Sequence, residues 1–535
     1  MIRYTSQNQP TLPGFDTPPG MILDPNNRWV RLSDCIPWDN LAQSYHKTLS
    51  ATSGRPCKDA RIVIGAIIIK HKLSVSDEET VEQIRENPYL QYLIGLKGFQ
   101  SKAPFAPSLL VEVRKRMGQG VFDEFHEAVI ESVERKKAKQ VVKDSDDDGA
   151  NSAPSSNAAE SDKTEKDKAD APQNHGKLIL DATVAEQAIR YPTDLGLLNE
   201  ARELSERIID ILYTHSPQPR TKKPCTYRQN ARKAFLNIAK QKRPPNKNRR
   251  AAIRQQLQYL RRNLKYIEVM LTACPYGQPL PLLNWLICRY WVLPHLYDQQ
   301  YEMYKANIRR CNDRIVSISQ PHLRPIVRGK LGKAVEFGAK ISVSLTGDKL
   351  AQVDKLHWDA CHEGHDLQRQ VEAYKNRYGY YPEVVIADRL YGSRENRSYL
   401  ESHNIRFSGK PLGRPPKATT ENQSELKQLK AQRRQEYRER IPIEGKFGQG
   451  KYGYRLNNIR AKRADTSIAW INAIFLVMNL LVLMQVFLRF KKFTTKMVCW
   501  VINFSILRRI EPACCPQLIS RRAYCLPGLV ALMNF

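Results

Sequence analysis

Between residues 144 and 176 the chain offers alanine and proline as its only apolar residue types, with nine acidic residues and no Phe, Trp or Tyr. Such a stretch cannot bury enough surface to offset the entropy of ordering its backbone. It therefore reads as a linker, and folded structure is expected on either side of it. The whole chain has 535 residues, beyond the roughly 250–300 at which a single core stops growing. The expected layout is a disordered leader (1–25), a helical domain (26–140), the acidic linker (141–176), and an α/β core in two parts (177–217 and 334–490). A basic helical insertion (218–333) separates those parts, and a tail (491–535) has no assigned role.

Charge narrows the partner. Lys and Arg number 85 against 54 Asp and Glu, a net +31, so the natural partner is a polyanion, with nucleic acid ahead of a membrane surface. From Arg220 to Ile267 there are sixteen Lys or Arg and no acid. Without acids the usual i,i+4 pairing on a solvated helix is missing, so Arg249, Arg250, Arg261 and Arg262 are candidate phosphate contacts. Eleven cysteines without a single CxxC argue against a zinc ribbon or a disulfide scaffold, and with a polar, proline-rich N-terminus they point to a reducing cytoplasm.

Apolar periodicity predicts helices from about Trp29 to Gln140, including a helix, turn, helix arrangement in which Ser76 or Asp77 opens the second helix and Pro88 interrupts it. Short apolar runs, Leu178-Ile-Leu180 before Asp181 and Val384-Val-Ile-Ala387 before Asp388, read as buried strands that end on a carboxylate. Val335–Leu345 and Leu350–Leu356 alternate as strands around a Gly347-Asp348 turn, and Ile405–Phe407 is another short strand after a helix over Ser393–His403. Strands interrupted by helices, with acids at strand ends, imply an α/β core. A third acid, Glu444, lies in Tyr437-x2-Arg440-x3-Glu444-x6-Lys451, a spacing that brings all four residues toward one side of a helix. Pro442, Gly445, Gly448 and Gly450 make that helix an uneasy one, and Glu436 and Glu439 are rival third acids. Three carboxylates beside a positive groove suit Mg²⁺ ions that also meet substrate phosphate.

The joint occurrence of Leu180-Asp181-Ala-Thr183, Ala387-Asp388-Arg-x-Tyr391-Gly392 and the Tyr-x2-Arg-x3-Glu-x6-Lys signature resembles the DDE transposases of bacterial insertion sequences, in the superfamily with the YREK signature. The resemblance implies a ribonuclease H-like catalytic core with Asp181, Asp388 and Glu444 as catalytic and metal-holding triad, and makes residues 26–140 an N-terminal helical DNA-binding domain. Two Mg²⁺ ions, or Mn²⁺ in their place, and DNA contacts from Tyr437, Arg440 and Lys451 follow from it. Its further implications are a homo-oligomer on DNA that cleaves at terminal inverted repeats and transfers strands to target DNA. A nuclease of the same fold, or a catalytically inactive DNA-binding regulator descended from a transposase, are the alternatives.

Three other patterns need an outcome. His357, Asp359, Cys361, His362 and His365 crowd one segment, but no second ligand pair stands at a finger-like spacing, so a polar loop is expected rather than structural zinc. Ile468–Leu488 carries no charge and is long enough to span a bilayer, yet Asn472, Asn479 and Gln485 favour a helix buried in protein, and no membrane partner is expected. Gln9, Leu12 and Phe15 resemble the short peptides that dock on the bacterial sliding clamp; the alternative is that the leader packs on the N-terminal helices.

Overall fold

A computed structural model describes residues 14–18, 21–50, 56–145, 174–215, 222–274, 279–330, 333–413 and 422–510. The acidic linker between 146 and 173, Gln9, Leu12 and residues 511–535 lie outside the described residues.

Seven helices come first: α1 (Arg28–Cys35), α2 (Trp38–His46), α3 (Ala60–Leu73), α4 (Asp77–Glu86), α5 (Pro88–Leu93), α6 (Ser108–Arg116) and α7 (Gln119–Ser145). Their ends follow from side-chain caps. Asp59 accepts from the Arg61 N–H to open α3, and Ser76 accepts from Glu79 to open α4. Asn87 closes α4 and caps α5 in turn, where Pro88 loses nothing because a first-turn N–H has no helical partner. The α3–α4 pair is a helix, turn, helix, but α3 is buried along most of its length. The exposed member, α4, carries Asp77, Glu78, Glu79, Glu82 and Glu86, so its charge opposes contact with phosphate.

The sheet is built from β1 (Lys177–Glu186), β2 (Pro325–Lys330), β3 (Lys333–Thr346), β4 (Ala351–His357), β5 (Val384–Ile386) and β6 (Arg406–Phe407). Its path is β2-β3-β1-β5-β6, with β4 also paired to β3. β3 runs antiparallel to β1, β2 and β4, while β5 and β6 run parallel to β1. A side chain at Gly338 would place Cβ 2.0 Å from the Ala185 carbonyl oxygen, so the long β1–β3 pairing closes only with glycine there. Alternation along the strands sends Ile179, Ile341, Val343, Val384 and Ile386 into one core and Leu178, Leu180 and Val385 into another. The second core is closed by α13 (Leu367–Tyr378) and α14 (Arg394–Ser402).

Between β1 and β2 stand α8 (Asp194–Thr214), α9 (Arg228–Ala239), α10 (Asn246–Thr272), α11 (Asn284–Tyr290) and α12 (Val292–Ala306). Leu198, Ile208, Leu260, Ile267, Leu286 and Leu296 form a core of their own there. α8 packs in this core through Leu197, Leu198, Ile208, Ile209 and Leu212.

Two helices complete the fold: α15 (Gln423–Gly448) and α16 (Ala464–Ile510). The apolar first half of α16, from Ala469 to Leu483, lies in the same core as α1–α3, α6, α7 and the sheet. Asn472 donates to Gln119 Oε1 (2.7 Å). Asn479 accepts from the Ala351 N–H (3.0 Å), donates to the Ala351 carbonyl (2.7 Å) and meets His126 Nδ1 (3.1 Å). The span is long and apolar enough to cross a membrane, but it is mostly buried inside the protein, with its amides bonded to protein partners. Phe15 is 4% exposed and meets Tyr92 edge-on at 5.7 Å, against Leu23 and Val30. A phenyl ring committed to that core is not available to a sliding clamp, which corrects the docking-peptide expectation.

Candidate active site

Asp181 sits in β1 and Asp388 two residues beyond the end of β5. The two strands are parallel neighbours with Lys177 opposite Val384 and Ile179 opposite Ile386. Continued by two residues, that register brings Asp181 level with Asp388, and Asp388 keeps an extended backbone (φ −69°, ψ 162°). Asp181 points to the side covered by α15, where Arg440 reaches it, and Asp388 stands exposed at the start of the turn after β5. Each has one oxygen bound locally. Asp181 Oδ1 accepts from the Ala182 N–H (2.9 Å), and Asp388 Oδ1 accepts from Arg389 (2.6 Å), opening a single 3₁₀ turn.

The third acid comes from α15, which runs through Pro442 without a break. Proline there lacks an N–H and would by itself cost about 3 kcal/mol in a helix, but Ile443 and Phe447 anchor the following turn in the core beneath the sheet. The helix then passes into one π-turn over Gln449–Gly453, which holds Lys451. The glycines and proline that make the segment uneasy in sequence are thus accommodated without unwinding it at Glu444. Tyr437 is 65% exposed, and the Arg440 guanidinium lies 5.9 Å from its ring.

Arg440 connects the helix to the strand. Its Nη1 donates to Asp181 Oδ2 (3.3 Å) and its Nη2 to Glu444 Oε1 (2.7 Å), so two carboxylates from distant segments converge on one cation. The rivals to Glu444 are otherwise engaged. Glu436 is buried in an ion pair with Arg406, and Glu439 takes both of its oxygens to Lys177 Nζ (2.9 Å). That lysine holds the Glu439 carboxyl below its ordinary range. Burial pushes the Asp181 carboxyl up; the Ala182 N–H and Arg440 draw it down, and Glu363 and Glu444 push it up again.

Sequence reasoning passed over Glu363, which lies in the 3₁₀ turn Glu363–Asp366 and pairs with Lys340 at 3.0 Å. It passed over the state of Tyr391 as well. That phenol is fully buried, and its hydroxyl has no hydrogen-bond partner among the described residues. Burial, then the charges of Glu363 and Asp181, raise it well above its ordinary range.

The four arginines singled out on α10 divide into two kinds. Arg250 donates to Asn307 Oδ1 (2.6 Å) and the Tyr304 carbonyl (2.9 Å), closing the end of α12, and Arg262 stacks on Tyr227 and Tyr259 at 4.4 and 5.4 Å. Arg249 and Arg261 are exposed, and Arg249 bonds only to Asn246, within its own helix.

Residues 385–481 match the family model of the transposase DDE domain, a span that holds Asp388, α15 with Glu444, and most of the apolar half of α16. Residues 20–116 match a second model, described as a transposase domain, across α1 to α6. The uncharacterized protein ORF8 of the nfe locus in Rhizobium meliloti is 29% identical over 186 residues, 35% of this chain and 74% of that protein. No solved structure matches. Two segments of the chain, together about a third of its length, are thus similar to transposases. The likeness over residues 385–481 is to the DDE domain of transposases in particular.

Proposed function

We propose that the protein binds the terminal inverted repeats of its element, cleaves a phosphodiester and transfers the exposed 3′ end to target DNA, using Asp181, Asp388 and Glu444 as its catalytic acids. The observation that carries this reading is that Asp181 in β1 and Glu444 in α15 are tied through Arg440, with Asp388 just past the end of β5, the parallel neighbour of β1. A mixed sheet with antiparallel strands on one side of β1, parallel strands on the other and helices on both faces supports a ribonuclease H-like core. All three groups are hard oxygen donors, and a guanidinium already bridging two of them suits a site built for cations, Mg²⁺ or Mn²⁺. Bound there, two such ions would activate water and stabilise the attacking and leaving oxygens. Arg440 keeps Asp181 and Glu444 together, and with exposed Tyr437 and with Lys451 it presents groups suited to DNA phosphates and bases.

A basic surface would hold the duplex. It is the exposed side of α10 with Arg249 and Arg261. In this reading the protein works as a homo-oligomer on DNA in the bacterial cytoplasm, and the insertion runs from α8 to α12. The test is purified protein with Mg²⁺ and a DNA carrying the element ends, scored for nicks and joined products. Asp181→Asn, Asp388→Asn and Glu444→Gln should each abolish cleavage and leave binding to the ends within a few-fold. Normal cleavage by Glu444→Gln with loss in Glu436→Gln or Glu439→Gln would reassign the third acid. Nicks without joined products would mean a nuclease, and binding without nicks a regulator.

A further inference from the structure

The loop that leaves β4 brings together three residues of mixed ligand chemistry. A nitrogen of the His357 ring, the Cys361 sulfur and a carboxylate oxygen of Asp366 all lie within 4.8 Å of one another. Two of them appear in the crowded segment noted in the sequence. The third is Asp366 instead of Asp359, which is exposed and lies 3.8 Å from Arg324.

The set is held from outside. Asp366 is 2% exposed, and Ser342 Oγ donates to its Oδ2 at 2.6 Å while Lys355 Nζ stands 3.2 Å from its Oδ1. His357 Nε2 faces the same carboxylate at 3.0 Å. Lys340 Nζ donates to the Cys361 carbonyl (2.6 Å) and so fixes the backbone that carries the thiol. Ligand carboxylates in metal sites are themselves oriented by hydrogen bonds of this sort, and Ser342 and Lys355 can keep theirs while Asp366 turns one oxygen to an ion.

We propose that His357, Cys361 and Asp366 form a site for one zinc-class divalent ion, separate from the Asp181, Asp388 and Glu444 acids. One imidazole nitrogen, one sulfur and one oxygen are a borderline-soft donor set that favours zinc over magnesium, with water left to take the fourth position. Uptake exchanges the Cys361 thiol proton for the metal: the S–H bond is lost, a sulfur–metal bond forms and the proton leaves to solvent. Ionised Cys361 and Asp366 then balance the charge of the divalent ion.

The position gives such an ion a structural purpose. Gly364, inside the loop, accepts from Asn396 Nδ2 at 2.7 Å, and the same amide donates to the Tyr391 carbonyl at 2.9 Å. A Cβ on Gly364 would lie 2.8 Å from the Leu390 carbonyl oxygen. The loop is therefore packed directly on the turn that follows Asp388, and a metal clamp on it would steady that turn.

The full-length protein, produced with added zinc and dialysed, should retain about one zinc per chain by elemental analysis, and Cys361→Ser should reduce this to background. Asp181→Asn should keep the zinc, which separates this site from the proposed catalytic acids. Cobalt in place of zinc should give a thiolate-to-metal charge-transfer band that is missing in Cys361→Ser. That variant keeps Asp366 and its partners, so unchanged circular dichroism shows that the loss is one of ligand and not of fold. His357→Asn provides a second route should Cys361→Ser fail to fold. No retained zinc, retention indifferent to both variants, or a cobalt complex without the sulfur band would each overturn the proposal and leave His357 and Asp366 as an ordinary hydrogen-bonded pair.

Discussion

The seven N-terminal helices and the five helices of the insertion are both all-helical regions outside the sheet, yet they are stabilised differently. The insertion buries its polar groups against near neighbours: Arg202 with Glu206 and Gln256, Asn263 with Ser205, Gln256 with the Ala231 carbonyl. Its apolar residues close on one another. The N-terminal helices share one core with the sheet, sealed by α16 from the far side of the acidic linker. A linker in the sequence marks a break in the chain and need not mark a break in the core.

If the N-terminal helices and sheet are one cooperative unit, Asn479→Asp should be the most damaging change, because it places a charge beside the Ala351 carbonyl in a site that is 1% exposed. A loss of about 3–5 kcal/mol is expected. Hydrogen exchange should then rise together in α3, α7, β3 and β4 and stay low in α10; equal loss in α10 would erase the distinction. Leu260→Ala probes the other side, removing a fully buried side chain from the insertion. It should cost about 3 kcal/mol, with new exchange confined to α8–α12 and β1 still protected.

Lys446 tests the seam where α15 enters the shared core. It is 9% exposed, and burial, then the charge of Lys349, brings its ammonium down to about 8 from 10.5. Between those values the unfolded chain still holds a proton that the folded chain has released, so stability rises with pH. The gain from about pH 7.5 to 9.5 should be about 2 kcal/mol, and Lys446→Met should remove it in paired denaturation curves. A gain that survives the substitution would place the titrating group elsewhere. The smallest energetic effect is at the insertion surface. Arg249→Ala with Arg261→Ala should reduce the slope of log K against log salt for DNA by about 1.8, two phosphate contacts' worth, whereas Arg250→Ala with Arg262→Ala should lower thermal stability and leave the slope nearly intact. The reverse pattern would move the DNA surface to the tyrosine-stacked side.

Strands with a local signal were legible: β3 and β4 follow from alternation and a turn pair and β5 from a short apolar run, whereas β2 lies inside the stretch read as helical and β1 runs on past Asp181, the acid expected to end it. What escaped the sequence depends on partners far along the chain. Lys177, which occupies Glu439, is 262 residues from it, and Arg406, which occupies Glu436, is 30 away. Local spacing sets Glu444 apart, with Arg440 four residues before it and Lys451 seven after, but it does not show that the rivals are engaged by residues elsewhere. α8 shows the same limit: its apolar stripe predicts burial but not which core receives it. Asp366 was missed as a companion of His357 and Cys361 because a loop, not a helix or strand period, brings it round.

The placement of α16 also sets an order of events during synthesis. The Asn472–Gln119 bond joins residues 353 apart. At about 5–20 residues per second the ribosome needs roughly 20–70 s to supply the second after the first. Throughout that interval the apolar faces of α3, α6 and α7 wait uncovered, which makes the nascent chain a natural client for chaperones. A message cut short before α16 therefore yields an N-terminal fragment with an open core.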